Sequence, residues 1–348
     1  FICSILISLI FVGAGAFIPG LVLEFMGADK EILETGLPYM RITLLFAPCF
    51  ILNYTFTSFV RNDNAPNIAM VATLSSSIFN IIFDYIFMFP LKMGLSGAAF
   101  ATGISPIVSM SVCMIHYLSK NNTIRFKFQF PSFSKLIRSC ATGIAGFVGE
   151  ISNAITSMVF NFILLDLVGN TAVAAYGIVA NISLVAIAVF NGISQGLQPM
   201  ASESAGSGDK DSEKKIIRYS LKISFLLAII LVAISWIFTP GIVNLFNSEN
   251  SEKMADYAIT GLRLYSIGFL IASLNIVKSG FFGATGRTKE CWLISVSRGI
   301  VAIVFFAFVL SMIFGIYGVW LAFLASELFT LILSFIFTKS NRMKGERK

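Results

Sequence analysis

The feature that most constrains this chain is a succession of apolar runs, each close to the length of a membrane span and each closed by a short polar turn. At about 1.5 Å of rise per residue, about 20 helical residues match the ~30 Å hydrocarbon core of a bilayer. Ten such segments can be drawn, over residues 1–25, 38–60, 66–90, 95–118, 136–167, 171–205, 216–245, 255–285, 289–314 and 317–338. Composition agrees, because 56% of the 348 residues are hydrophobic and only 12% are charged, against about a quarter charged in an ordinary soluble domain. A water-soluble globule, a disordered chain and a disulfide scaffold are excluded. The prediction is an all-α, polytopic integral membrane protein. The first segment does not read as a signal peptide, since no basic stretch precedes it and no small-residue cleavage site follows.

Lys and Arg positions set an orientation. Most of the 25 fall on one side of the spans: Arg61; Lys120, Arg125, Lys127, Lys135 and Arg138; Lys210, Lys214, Lys215 and Arg218; Arg287 and Lys289; and Lys339, Arg342, Lys344, Arg347 and Lys348. The opposite loops hold Lys30, Lys92 and Lys253 beside acidic residues such as Glu31, Glu34, Glu249 and Glu252. The positive-inside rule therefore places the C-terminus and the 119–135 and 206–215 loops in the cytoplasm. The net charge of +7 reflects topology and contact with anionic membrane lipids. Basic and aromatic residues do not interleave as they do on a nucleic-acid surface, so no nucleic-acid partner is expected. The five Cys lie in or at the ends of spans without a CxxC pair and read as small buried hydrophobes.

An internal repeat organises the chain. FIPGLVLEF (17–25) aligns with FTPGIVNLF (238–246), Arg41 with Arg263, Asn53 with Asn275, and MGLSGAAFATGIS (93–105) with FGIYGVWLAFLAS (314–326), with a one-residue change of register. This is a unit of four helices written twice in the same direction, and parallel repeats of that kind mark transporters with the substrate path between the halves. The second copy is preceded by two more helices, 136–167 and 171–205, which have no counterpart ahead of Phe1. Equivalent halves would need two further N-terminal helices, so the expectation is ten visible helices of twelve in two pseudo-symmetric six-helix lobes. The divisions are 1–118 for the first lobe, 119–134 for a linker, 135–338 for the second lobe and 339–348 for a basic tail. The linker is basic and contains Pro131; it reads as a connecting loop, with a surface-lying amphipathic stretch as the alternative.

Ionisable groups inside a span are costly and point to function. Asp84 lies deep in SSIFNIIFDYIFMF (76–89), four residues after Asn80, so the two share a helix face. A carboxylate with an amide oxygen suits Na+, the same carboxylate suits a proton, and Thr102 on the next helix offers a hydroxyl; a plain interhelical hydrogen bond is the alternative. Glu150, beside Gly143, Gly146 and Gly149, is a relay candidate or the ion-pair partner of Arg298. Glu327 in the last span has Arg298 or Lys278 as possible partners. Gln195 and Gln198 next to Pro199 either line a cavity at a kink or bond between helices. His116 reads as interfacial. A lone His excludes a zinc site of ordinary type, and the chain lacks a Walker A motif and a Ser-His-Asp set, so no enzyme and no cofactor is expected.

Over essentially its whole length the chain resembles the bacterial multidrug and toxic compound extrusion (MATE) transporters. The resemblance is carried by LPYMRI (37–42), NIIFDYIF (80–87) with MGLSGAAFAT (93–102), AAYGIVANIS (174–183) leading into GISQGLQP (192–199), and FFGATGRTK (281–289) followed by GVWLAF (318–323). It implies two six-helix lobes, a monomer in the plasma membrane, and efflux of small amphipathic or cationic drugs by antiport with Na+ or H+ under alternating access. It also implies a coupling site at Asn80, Asp84 and Thr102 with Tyr39 nearby, completed by an Asp on the family's first helix, which precedes residue 1. Many members carry an acid on the seventh helix, the span occupied here by Glu150. SESAGSG (202–208) departs from the family's aromatic-containing segment. The second function considered is a flippase for lipid-linked oligosaccharide or peptidoglycan precursor, which would need a cationic cavity; here the intramembrane Arg and Lys are few and are balanced by Asp84, Glu150 and Glu327.

Overall fold

The structure is a computed structural model that describes residues 1–25, 30–124, 132–247 and 250–345, with residues 30–32, 138, 142, 144–145 and 338–345 described by backbone alone. Residues 125–131 of the 119–134 linker and the end of the basic tail lie outside the described residues. Every regular element among the described residues is a helix: α1 (Ile2–Phe17), α2 (Pro19–Phe25), α3 (Lys30–Leu45), α4 (Ala47–Asn62), α5 (Pro66–Met88), α6 (Gly94–Tyr117), α7 (Phe133–Leu167), α8 (Asn170–Ser207), α9 (Lys210–Phe246), α10 (Glu252–Ala284), α11 (Thr288–Val296), a π-helical turn (Ser297–Val301), α12 (Ala302–Phe314) and α13 (Ile316–Gly345).

Eight helices are each long and apolar enough to cross a membrane, and two bent pairs raise the number to ten among the described residues. The bent pairs differ from the straight spans drawn from sequence. Between α1 and α2 the axis turns by 97° at Ile18 (φ −135°, ψ 35°), because the residue before a proline is pushed out of the helical region and Pro19 then opens a new helix. The second span starts at Lys30 instead of residue 38. It bends by 45° before α4, whose first turn carries Pro48. Charged residues kept Lys30–Leu37 out of the apolar count, yet they continue the helix.

The chain divides into two compact units, Phe1–Ile137 and Arg138–Lys348. In the first, α6 is packed by α3, α4 and α5, and α1 lies against α3 and α4. In the second, α10 is packed by α8, α9 and α13, and α12 runs against α13. The repeated segments adopt matching local geometry. Gly94 and Gly315, paired by the repeat, both have positive φ (55° and 56°). Gly97 and Gly318, also paired, each lie so close to the preceding helix that a Cβ would strike its backbone, at Phe87 and Leu310.

Small residues let these helices approach, as expected where lipid gives no hydrophobic drive between them. Gly261 lies under the Trp320 ring and Gly268 under Phe323. Tyr265 stacks on Phe323 with ring centroids 4.3 Å apart and planes 2° from parallel. Side chains such as Ile81 and Met312 face outward, the arrangement a lipid-facing surface requires. Cys113 and Cys291 are buried, whereas Cys140 is exposed and departs from the reading of all five as buried.

Candidate functional sites in the two units

In the first unit, Asn80 and Asp84 occupy one face of α5, one helical turn apart. Asn80 Nδ2 donates to Thr102 Oγ1 on α6 at 3.3 Å, and one turn earlier Ser76 Oγ donates to the Ser105 carbonyl at 2.7 Å. These bonds tie α5 to α6 and fix the position of Asp84. Its Oδ1 is buried with no hydrogen-bond partner among the described residues. A buried acceptor left unpaired is costly, and such an atom in a folded protein calls for a proton, an ion or water to complete it. An oxygen-bearing set of carboxylate, amide and hydroxyl suits a hard monovalent cation, and the carboxylate alone suits a proton. Tyr39 is half-buried on α3, and its carbonyl accepts from Thr43 Oγ1 at 2.9 Å; no hydrogen bond joins its side chain to Asp84 among the described residues.

The second unit holds a buried ion pair that sequence left open between two partners. Glu327 on α13 takes Arg298, whose Nε and Nη2 donate to Oε1 at 3.0 and 2.8 Å. The other carboxylate oxygen accepts from Asn275 Nδ2 on α10 at 2.7 Å. Glu327 is 1% exposed, Arg298 17%. Lys278 instead lies over the Phe335 ring, 3.6 Å from its centroid. Arg298 is carried by the π-helical turn, a local departure often found at functional sites.

Beside the pair is a cavity of about 70 Å³, walled by Arg298 and Glu327 together with hydroxyl side chains of α7, α8 and α10. Glu150 is exposed, forms no ion pair among the described residues and does not line this cavity; its proposed pairing with Arg298 is not seen, because Glu327 already occupies that guanidinium. Gln195 is exposed and Gln198 half-buried, and neither lines the cavity. Helix α8 runs unbroken through Pro199.

Two polar clusters were not anticipated from sequence. His116, read as interfacial, is buried, and its Nε2 donates to Asp63 Oδ2 at 2.7 Å. The same carboxylate accepts from the Thr123 amide at 3.0 Å and from the Thr123 hydroxyl. Burial pushes the Asp63 carboxyl up, but the bonds from Thr123 and His116 together outweigh it and hold the group below its ordinary value. In the second unit, buried Glu213 bonds Lys210 and Arg287, each at 2.9 Å. The only signal for either cluster was an acidic residue placed among basic turns.

The family model described as MatE matches residues 1–86 and 147–309. The multidrug export protein MepA of Staphylococcus saprophyticus is 28% identical over 313 residues, covering 87% of this chain and 67% of that protein. The MepA of Staphylococcus haemolyticus is 28% identical over 332 residues, covering 92% and 71%. The chain thus spans about two thirds of the length of these relatives. Among solved structures, an outward-facing multidrug resistance MATE family transporter of the MOP superfamily superposes with a TM-score of 0.88 at 21% identity, over 99% of this chain and 78% of that one. A MOP superfamily transporter from Pyrococcus furiosus gives 0.89 at 22% identity, over 100% and 78%. At these identities the structural likeness speaks to fold.

Proposed function

The chain belongs to the MatE family, a family of membrane transporters and not of enzymes, and we propose that it acts in cation-coupled multidrug efflux across the cell membrane by alternating access. The observation that carries this reading is the buried, unpartnered Oδ1 of Asp84 beside the Asn80–Thr102 bond. The coupling ion, Na+ or H+, binds at Asp84, with Asn80 and Thr102 as neighbouring oxygen-bearing groups. An ion can shift a conformational equilibrium only by its difference in affinity between the states, and a carboxylate that has no other partner has the most to gain from ion binding. The export names carried by the staphylococcal relatives favour efflux over transfer of lipid-linked sugars.

The test is ethidium efflux into everted vesicles carrying the full-length gene product, with Na+ and pH gradients imposed separately. Asp84→Asn keeps the shape of the side chain and removes the ionisable oxygen. Transport by this variant should fall to the background of empty vesicles with an unchanged amount of protein in the membrane. Wild-type efflux from Asp84→Asn would sink the assignment.

A further inference from the structure

The cavity in the second unit has a chemistry the coupling site does not use. Both oxygens of Glu327 are already engaged, one by Arg298 and the other by Asn275. Arg298 spends Nε and Nη2 on this pair, and its Nη1 makes no hydrogen bond among the described residues. The guanidinium is also the more exposed member of the pair. A ligand entering the cavity therefore meets unused cationic N–H groups and no available carboxylate among the lining residues. Hydroxyls add further polar groups to the wall: Thr156 and Ser157 from α7, Tyr176 and Ser183 from α8, and Tyr265 from α10.

Local architecture keeps these groups in place. The π-helical turn brings Gly299 against Ser152 of α7, so close that a Cβ on Gly299 would collide with that side chain. Arg298, the preceding residue, is thereby held at the cavity wall. A water needs about 10–15 Å³ of such space, so about 70 Å³ admits a few waters or one small charged headgroup, but not a drug-sized molecule.

We infer that this cavity is a binding site for a carboxylate, the acid end of a small or amphiphilic anion, held by Arg298 and the surrounding hydroxyls. An ammonium ligand is the opposite case: it would face the guanidinium and find no free anion. Guanidinium–carboxylate hydrogen bonds are among the stronger and more directional ones available to a protein. The inference stands on the second unit alone, whichever ion Asp84 carries.

The experiment is calorimetric titration of the purified full-length protein in detergent, at constant ionic strength, with benzoate, with benzamide as its neutral isostere and with benzylamine as its cationic counterpart. Benzoate should bind saturably, and benzamide and benzylamine about tenfold more weakly or worse. Ser183→Leu fills the cavity while leaving the ion pair intact and should abolish benzoate binding. The Arg298→Gln, Glu327→Gln double variant, which removes both charges together, should weaken benzoate about tenfold or more. Asp84→Asn should bind benzoate as wild type does, which separates this site from the coupling site. Absence of saturable benzoate binding to wild type, equal binding of benzamide, or unchanged binding in Ser183→Leu would each overturn the inference.

Discussion

Glu327 illustrates what a single residue in an apolar run can and cannot declare. A carboxylate in the middle of a span must be paired, and that much follows from the sequence. Its partner does not, because sequence spacing gives neighbours along one helix but not the rotation of one helix against another; Arg298 and Lys278 are equal candidates by position, and the packing of the π-helical turn against α13 selects Arg298. Asn275, which completes the shell at 2.7 Å, was visible only as the repeat partner of Asn53. Both asparagines keep a buried Oδ1 without a partner among the described residues, so the repeat preserves a polar position whose ligands differ between the copies. The energetics predict an asymmetry. Glu327→Ala leaves a largely buried guanidinium uncompensated and should destabilise the protein by about 3–5 kcal/mol, whereas Arg298→Met with Glu327→Met should be close to neutral. Thermal unfolding in detergent, followed by circular dichroism, distinguishes the two; equal destabilisation by both would mean that packing and not charge dominates the site.

Elements were legible where composition is uniform and obscure where the backbone departs from a straight helix. The spans α5, α6 and α8 agree with the drawn segments to within a few residues. Pro19 and Pro240, aligned by the repeat, behave differently: the first opens a new helix after a 97° turn, and the second lies inside the continuous α9. An alignment of prolines therefore does not transfer a kink. The π-helical turn at Ser297–Val301 has no composition of its own and could not be read from SRGIV. Glycines carried more information. Gly94 and Gly315 begin corresponding helical connections with φ near +55°, and neither would place a Cβ within 4 Å of another group. Substitution at either tests backbone conformation with no steric contribution. Gly315→Ala, at φ 56° and ψ −134°, should cost about 1–3 kcal/mol because L-residues rarely adopt that region. Gly143→Ala, in the helical interior of α7 with open space around it, should be neutral or slightly stabilising. The difference in melting temperature between the two variants is the readout, and equal values would remove the conformational argument.

At the scale of the whole molecule the question is orientation, which the distribution of Lys and Arg poses and the internal contacts of each unit sharpen. Glu213 holds Lys210 and Arg287, so the basic turns at 206–215 and 285–289 lie at one end of the second unit. In the first unit, Asp63 joins the α4–α5 turn to His116 and Thr123, bringing Arg61 to the same end as the start of the basic linker. Two loops drawn separately from charge thus share one end in each unit, and the positive-inside rule predicts that such a basic end faces the cytoplasm. Helix α9 offers the cleanest test. Its 37 residues extend about 55 Å, more than a bilayer core, so Ser207 before it and Lys253 after it must emerge on opposite sides. Both positions are exposed. With the five native cysteines replaced, Lys253→Cys should react with a membrane-impermeant maleimide in intact cells and Ser207→Cys should not. In everted vesicles the pattern should reverse. The opposite assignment in intact cells would invert the topology, and with it the direction in which a carboxylate at Asp84 meets the ion gradient; labelling of both positions from one side would show that α9 does not cross the membrane.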